Sequence, residues 1–200
     1  LKRAQQMFAD LNQNSVRPTR SLGILYNYRD SFARFTLKIV ETIPIFKNLT
    51  ELEKTTISNR STKMFTLSSI YQANKALLGK SGKNPKLTQE EENNTNDFWI
   101  EVTRFIPEWQ GVINNKLSSS ELRKEFVHAH GLAIHALGIA GNSLIKKYPK
   151  NWKTVLKKIE KIDWLRSNAK LWEGRAMTAG RISKAHTNLV LTANLLKKTL

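Results

Sequence analysis

Between Gly174 and His186 the chain reads Gly-Arg-Ala-Met-Thr-Ala-Gly-Arg-Ile-Ser-Lys-Ala-His, a run of thirteen residues that mixes glycine, hydroxyls and three Lys/Arg. That composition suits phosphate. Arg offers a fork of donors, Ser and Thr add hydroxyls, and a helix start supplies unpaired amides. The run lacks the Gly-x4-Gly-Lys-Ser/Thr spacing of a P-loop. It is equally the composition of an ordinary basic loop ahead of a last helix, and residue types alone do not separate the two. Two smaller clusters repeat the theme. Arg17 and Arg20 stand among Ser15, Thr19 and Ser21, and Arg60 and Lys63 among Ser58, Ser61 and Thr62.

Other chemistry is weakly represented. His128, His130 and His135 are spaced by two, five and seven residues. A helical zinc pair needs His at i and i+4. On a helix only His128 and His135 would share a face, about 10 Å apart along the axis, too far for one ion. Polar side chains satisfied inside a packed core are the simpler reading. No Ser-His-Asp order and no carboxylate pair stands out, and Glu90, Glu91 and Glu92 are explained by capping and solvation. No catalytic, cofactor or metal site is expected. The absence of Cys excludes disulfides and thiolate sites and fits a reducing cytoplasm.

Charge is the dominant bulk property. Lys plus Arg number 33 and Asp plus Glu 16, a net +17 on 200 residues. Residues 146–200 hold fourteen Lys/Arg against three acids, whereas 87–125 hold eight acids against four bases. A compact body with one strongly positive side attracts polyanions, and nucleic acid is the commonest inside a cell. A hydrophobic content of 40 %, with five Trp and eight Phe, is enough for a real core.

The elements that must position these groups read as helices almost throughout. We expect a mainly α fold: one bundle over residues 1–200 around a central uncharged helix at about 120–148. A very short strand near 55–58 is the most β structure expected. Ala4 to Leu11 is a short helix and 15–19 a loop. Pro18 ahead of Leu22 opens a helix to about Thr42. Thr66 caps a helix ending near Gly79, and 80–86 is a loop. Thr88 with Glu91, and Ser118 with Glu121, form capping boxes for helices running to Pro107 and to about Tyr148. Trp152 to Ile162 and His186 to Lys198 complete the set. Residues 126–145 carry no Asp, Glu, Lys or Arg, a length that could cross a bilayer. Three His, Asn142 and Ser143 argue instead for a buried helix. Small residues at 129, 131, 133, 136, 138, 140 and 141 imply close helix packing there, because each interior Gly costs about 1 kcal/mol against Ala.

Three segments together resemble the C-terminal half of the DndB family of DNA sulfur modification proteins, which carry a DGQHR domain. The first is Gln5-Gln-Met-Phe-Ala-Asp-Leu-Asn12 with Val16-Arg-Pro-Thr-Arg-Ser-Leu22. The second is Glu121-Leu-Arg-Lys-Glu-Phe-Val-His-Ala-His-Gly131 with Ala136-Leu-Gly138. The third is Gly180-Arg-Ile-Ser-Lys184 leading into Asn188-Leu-Val-Leu-Thr-Ala-Asn194. The resemblance implies a DNA-binding repressor of the gene cluster for DNA phosphorothioation. It also implies a comparison with ParB-like and sulfiredoxin-like folds. The Asp-Gly-Gln-His-Arg motif itself is absent and would lie before residue 1, so no activity of that motif carries over. Residues 1–14 would then be the tail of that N-terminal domain. Asp10 and Asn12 could face its site, or be a helix residue and its C-cap.

The expected partner is double-stranded DNA, held through backbone phosphates by Arg17, Arg20, Arg60, Lys63, Arg175, Arg181 and Lys184. No helix-turn-helix is visible. Two rival expectations stand beside it. One is part of a ParB-like nucleotide hydrolase or nuclease completed by the missing region. The other is an interaction module for other phosphorothioation components or a second copy, with the acidic 87–125 region meeting a basic tail. The geometric requirement of the leading reading is that distant cations converge on one surface.

Overall fold

A computed structural model describes residues 2–13 and 17–200 of the chain. Eleven helices and two small ladders make up the described residues. Helix α1 (Lys2–Gln13) is followed by α2 (Arg20–Leu25) and α3 (Ser31–Thr42). The single helix expected from Leu22 to Thr42 is therefore two. Asp30 explains the restart, because its carboxylate accepts the amides of Phe32 and Ala33 at the α3 N-terminus.

Strands β1 (Thr50–Glu51) and β2 (Phe65–Thr66) pair in parallel, Thr50 opposite Phe65. Residues 55–58 are irregular, so the strand expected there is absent and the β structure lies on either side of it. β-prone residues need a partner to pair with, and Thr55 and Thr56 are exposed without one. Thr66 caps α4 (Leu67–Leu78) by accepting the Ser69 amide, and Gly79 ends it in the left-handed region. Both capping boxes form. Thr88 starts α5 (Gln89–Phe105), and Ser118 starts α7 (Ser119–Glu125). Between them Pro107 opens α6 (Pro107–Ile113) at its first turn, where its missing amide costs nothing.

The long central helix is interrupted. Phe126 and His130 are extended, with a short 3-10 turn (Val127–Ala129) between them. Helix α8 (Gly131–Lys147) begins only after that break. Backbone pairing explains the interruption: Phe126 forms a bridge with Leu165, the Val127 amide donates to the Trp164 carbonyl, and the Arg166 amide donates to Glu125. Among the described residues no helix is long and apolar enough to cross a membrane. The remaining elements are α9 (Trp152–Leu156) with a 3-10 turn behind it, α10 (Ala169–Trp172), the hairpin β3 (Met177–Thr178) and β4 (Arg181–Ile182), and α11 (His186–Thr199).

The core is aromatic. Trp99, Trp109, Trp172, Phe32, Phe46, Phe65 and Phe98 are fully buried, each stabilising by roughly 1.5–3 kcal/mol or more relative to exposure. Ring edges meet ring faces, as between Phe46 and Trp99 at 5.3 Å. The indole N–H groups of the three fully buried tryptophans are satisfied: Trp99 donates to Asn74 Oδ1 at 2.7 Å, Trp109 to His128 Nδ1 at 3.0 Å and Trp172 to the Asp163 carbonyl at 2.8 Å, whereas that of Trp164 is buried without a partner. Helix α8 lies against α4 along its small-residue face. A methyl group at Gly138 would run into the Ala73 carbonyl. The glycines thus set how near the two helices come.

Candidate nucleic-acid interface

A cleft of about 800 Å³ opens where α2, the 55–64 loop, α4, the end of α7, the start of α8 and the β3–β4 hairpin meet. Six Lys/Arg line it: Arg20, Arg123, Lys124, Arg166, Arg181 and Lys184. No Asp or Glu is among its lining residues. Hydroxyls of Thr55, Thr56, Thr66, Ser68, Ser69 and Ser120 alternate with the cations.

Each cation is placed by local chemistry. Thr19 caps α2 by accepting the Leu22 amide, and it also donates to the Glu53 carbonyl. Ser21 donates to the Lys54 carbonyl at 3.0 Å and accepts the Ser68 amide. These bonds pin α2 onto the 53–54 segment and the start of α4, and so aim Arg20 at the cleft. Arg20 and Lys124 are exposed, as are Arg181 and Lys184. Among the described residues none of these four pairs with a carboxylate in an ion pair of 4 Å or less.

Arg123 and Arg166 play a different part. Arg123 is buried, and its guanidinium donates to the Lys63 and Ser58 carbonyls, fastening α7 to the loop. Burial pulls its pKa down. Arg166 Nη1 donates to the Arg123 and Lys124 carbonyls at 3.1 and 2.9 Å, and Nη2 to Gly180 at 2.9 Å. A cation thus caps the C-terminus of α7 and holds the hairpin to it. The Arg166 Nε is buried without a hydrogen-bond partner.

Burial favours the neutral imidazole at His128, His130 and His135. His130 Nε2 lies 2.9 Å from the Arg123 carbonyl, which can only accept, so Nε2 carries the hydrogen and donates. Burial pushes its pKa down to about 4, and Arg166 and Arg123 push the same way. His135 is lowered by burial, then by Arg20 and His186. His128 lies elsewhere, in the core. Its Nδ1 accepts the Trp109 indole N–H at 3.0 Å, and Nε2 stands 3.3 Å from Glu108. It stacks on Phe126 with ring centroids 5.0 Å apart. Burial holds His128 low, with Glu108 pulling the other way. His128 sits in the 3-10 turn rather than on α8, so the expected shared helical face with His135 does not form. No group of three His, Cys, Asp or Glu able to hold a metal occurs among the described residues.

Three of the seven expected cations converge here: Arg20, Arg181 and Lys184. Arg17 and Arg60 are exposed but do not line the cleft. Lys63 and Arg175 do not line the cleft either; both are half-buried and bonded to backbone, Lys63 Nζ to the Asn48 carbonyl and Arg175 Nη1 to Leu171, each at 2.7 Å. The 174–186 run folds as a hairpin with Ala179 and Gly180 at φ of 50° and 69°, the geometry of a two-residue turn. Its tip amides are already taken, since Glu173 accepts both the Ala179 and Gly180 N–H. A carboxylate from the chain itself occupies the amides that phosphate would want. Asn188 then ties the hairpin to α11 through the Arg175 carbonyl and the Ser183 hydroxyl. Lys124, Arg123 and Arg166 were not expected. Arg123 and Lys124 stand in the helix that Ser118 opens, but its end just after them was not expected, and nothing in the chain order foretells Arg166.

Compared with known families, the profile described as DndB: DNA-sulfur modification-associated matches residues 1–200. The chain belongs to the DndB family. It is thereby linked to DNA sulfur modification. No curated protein and no solved structure gives a significant match. Asp10 lies on α1 and accepts from Gln6 at 2.8 Å. The Asn12 side chain and Ser15 fall outside the described part.

Proposed function

We propose that this member of the DndB family binds double-stranded DNA across the mouth of the basic cleft and serves as a repressor of the sulfur-modification gene cluster. The observation that carries the binding reading is a cleft lined by six Lys/Arg and no carboxylate. Arg20, Lys124, and the neighbouring Arg181 and Lys184 come from three separate stretches and are exposed at that one place. Duplex DNA presents one charge per about 1.7 Å of axis, so a cluster of unopposed cations gains counterion release on contact. The hydroxyls between them supply further phosphate donors. The regulatory role comes from the family's association with the modification system.

The test is a fluorescence anisotropy titration of a labelled duplex at several salt concentrations. The reading expects the logarithm of the binding constant to fall linearly with that of salt, by about 0.9 per phosphate neutralised. Absence of binding at low salt removes the proposal. The self-association reading is examined in parallel by light scattering over the same salt series.

A further inference from the structure

We infer that the interior of the cleft seats one nucleotide unit: a phosphate at the cationic mouth and its nucleoside against the aliphatic wall. The inference rests on the reading that the mouth takes phosphate, and goes beyond it. The whole cleft, mouth included, measures about 800 Å³, more than a backbone phosphate resting at its mouth would fill. That volume is inside the range of about 300–1,000 Å³ typical of small-molecule sites.

The wall has the mixed chemistry that a phosphorylated ring compound needs and a bare phosphate backbone does not. Ile57, Leu132, Ile182 and Leu189 line the interior and are only half-buried, so apolar surface is left for a planar ring to cover. Hydrogen-bonding groups stand beside it: Thr55 and Thr56 line the cleft and are exposed. With Nε2 of His130 committed to the Arg123 carbonyl, its Nδ1 keeps a lone pair. The cleft thus joins cations, hydroxyls, a spare acceptor and an apolar wall. A free nucleotide and an unpaired nucleotide of a DNA strand share that chemistry.

Isothermal titration of the full chain with dAMP and with inorganic phosphate addresses the free ligand. Anisotropy with a duplex carrying one unpaired adenosine, against the same duplex fully paired, addresses the strand. The expected result is that dAMP exceeds phosphate, or the unpaired duplex exceeds the paired one, by at least about tenfold. Whichever pair shows the preference identifies the source. Leu189→Trp should abolish that preference and leave paired-duplex binding unchanged. Ile182→Phe is the second variant should the first fail to fold by circular dichroism. Equal binding within both pairs overturns the inference even where the paired duplex binds well, and so does a preference that survives in a folded filled-cleft variant. A dAMP preference without paired-duplex binding supports the inference while removing duplex docking.

Discussion

Helix α5 and the basic cleft treat the same side chains in opposite ways. On α5, cations meet carboxylates: Lys80 with Glu91 at 2.6 Å, Lys153 with Asp97 at 2.7 Å and Lys38 with Glu92 at 3.3 Å. Every Lys/Arg–carboxylate ion pair found among the described residues involves α5. In the cleft, no Lys or Arg forms an ion pair of 4 Å or less among the described residues, and Arg123 and Arg166 are held by backbone carbonyls. The net charge of +17 is therefore not a uniform coat. It is ion-paired on one face and left without ion pairs on another, and charge free of ion pairs is what a polyanion reads.

The contrast breaks most visibly under charge reversal. Arg181→Glu with Lys184→Glu should weaken duplex binding on the order of a hundredfold. Lys38→Glu with Lys153→Glu, the same change in formal charge on the α5 face, should leave it within about threefold, since those cations lie away from the docked phosphates. Anisotropy titrations of the two double variants at one salt concentration check both.

The packing beneath the cleft gives the next largest effect. Gly138→Ala should destabilise by about 1–3 kcal/mol, because its methyl must push the Ala73 carbonyl and hence α4 away. Urea unfolding measures it. Gly131→Ala should do less. Its added carbon would lie 2.9 Å from the Ser69 Cβ, a side chain rather than backbone, though it narrows the cleft.

Acid should weaken the fold through the buried imidazoles. His130 has a pKa of about 4 when folded and an ordinary value of 6.5 when unfolded. Below pH 6.5 the unfolded chain binds the proton and the folded chain refuses it. Stability therefore falls from pH 6.5 toward 4, where the loss levels off, with His130 contributing on the order of 1–3 kcal/mol. Urea midpoints at pH 7 and 4.5 report the drop. His130→Gln, which keeps a donor for the Arg123 carbonyl, should shrink it.

Local physics made part of this readable in the chain. Thr66, Thr88, Ser118 and Gly79 announced their helix ends because a cap depends on three or four neighbouring residues. The breaks at 26–30 and 126–130 were not announced. The second follows from the bridge to Leu165, a contact some forty residues away. The candidate cations divide on the same ground. Arg175 and Arg181 look alike in the sequence, yet one guanidinium is bound to the Leu171 carbonyl and the other lines the cleft. Arg166 was missed because its role depends on a helix end and a hairpin tip that only the fold brings to it.

The smallest effect sharpens the contrast from the α5 side. Lys153→Ala removes a pair whose partners are both about half exposed, and should cost no more than about 1 kcal/mol in urea unfolding.

The most direct test is the salt slope of duplex binding after single neutralisations on the two faces. Lys124→Ala and Lys184→Ala should each make the log–log slope shallower by about 0.9, while Lys38→Ala and Lys153→Ala leave it unchanged. Equal slopes across all four variants, or a change confined to the α5 pair, would contradict the assignment of the cleft as the phosphate-docking surface.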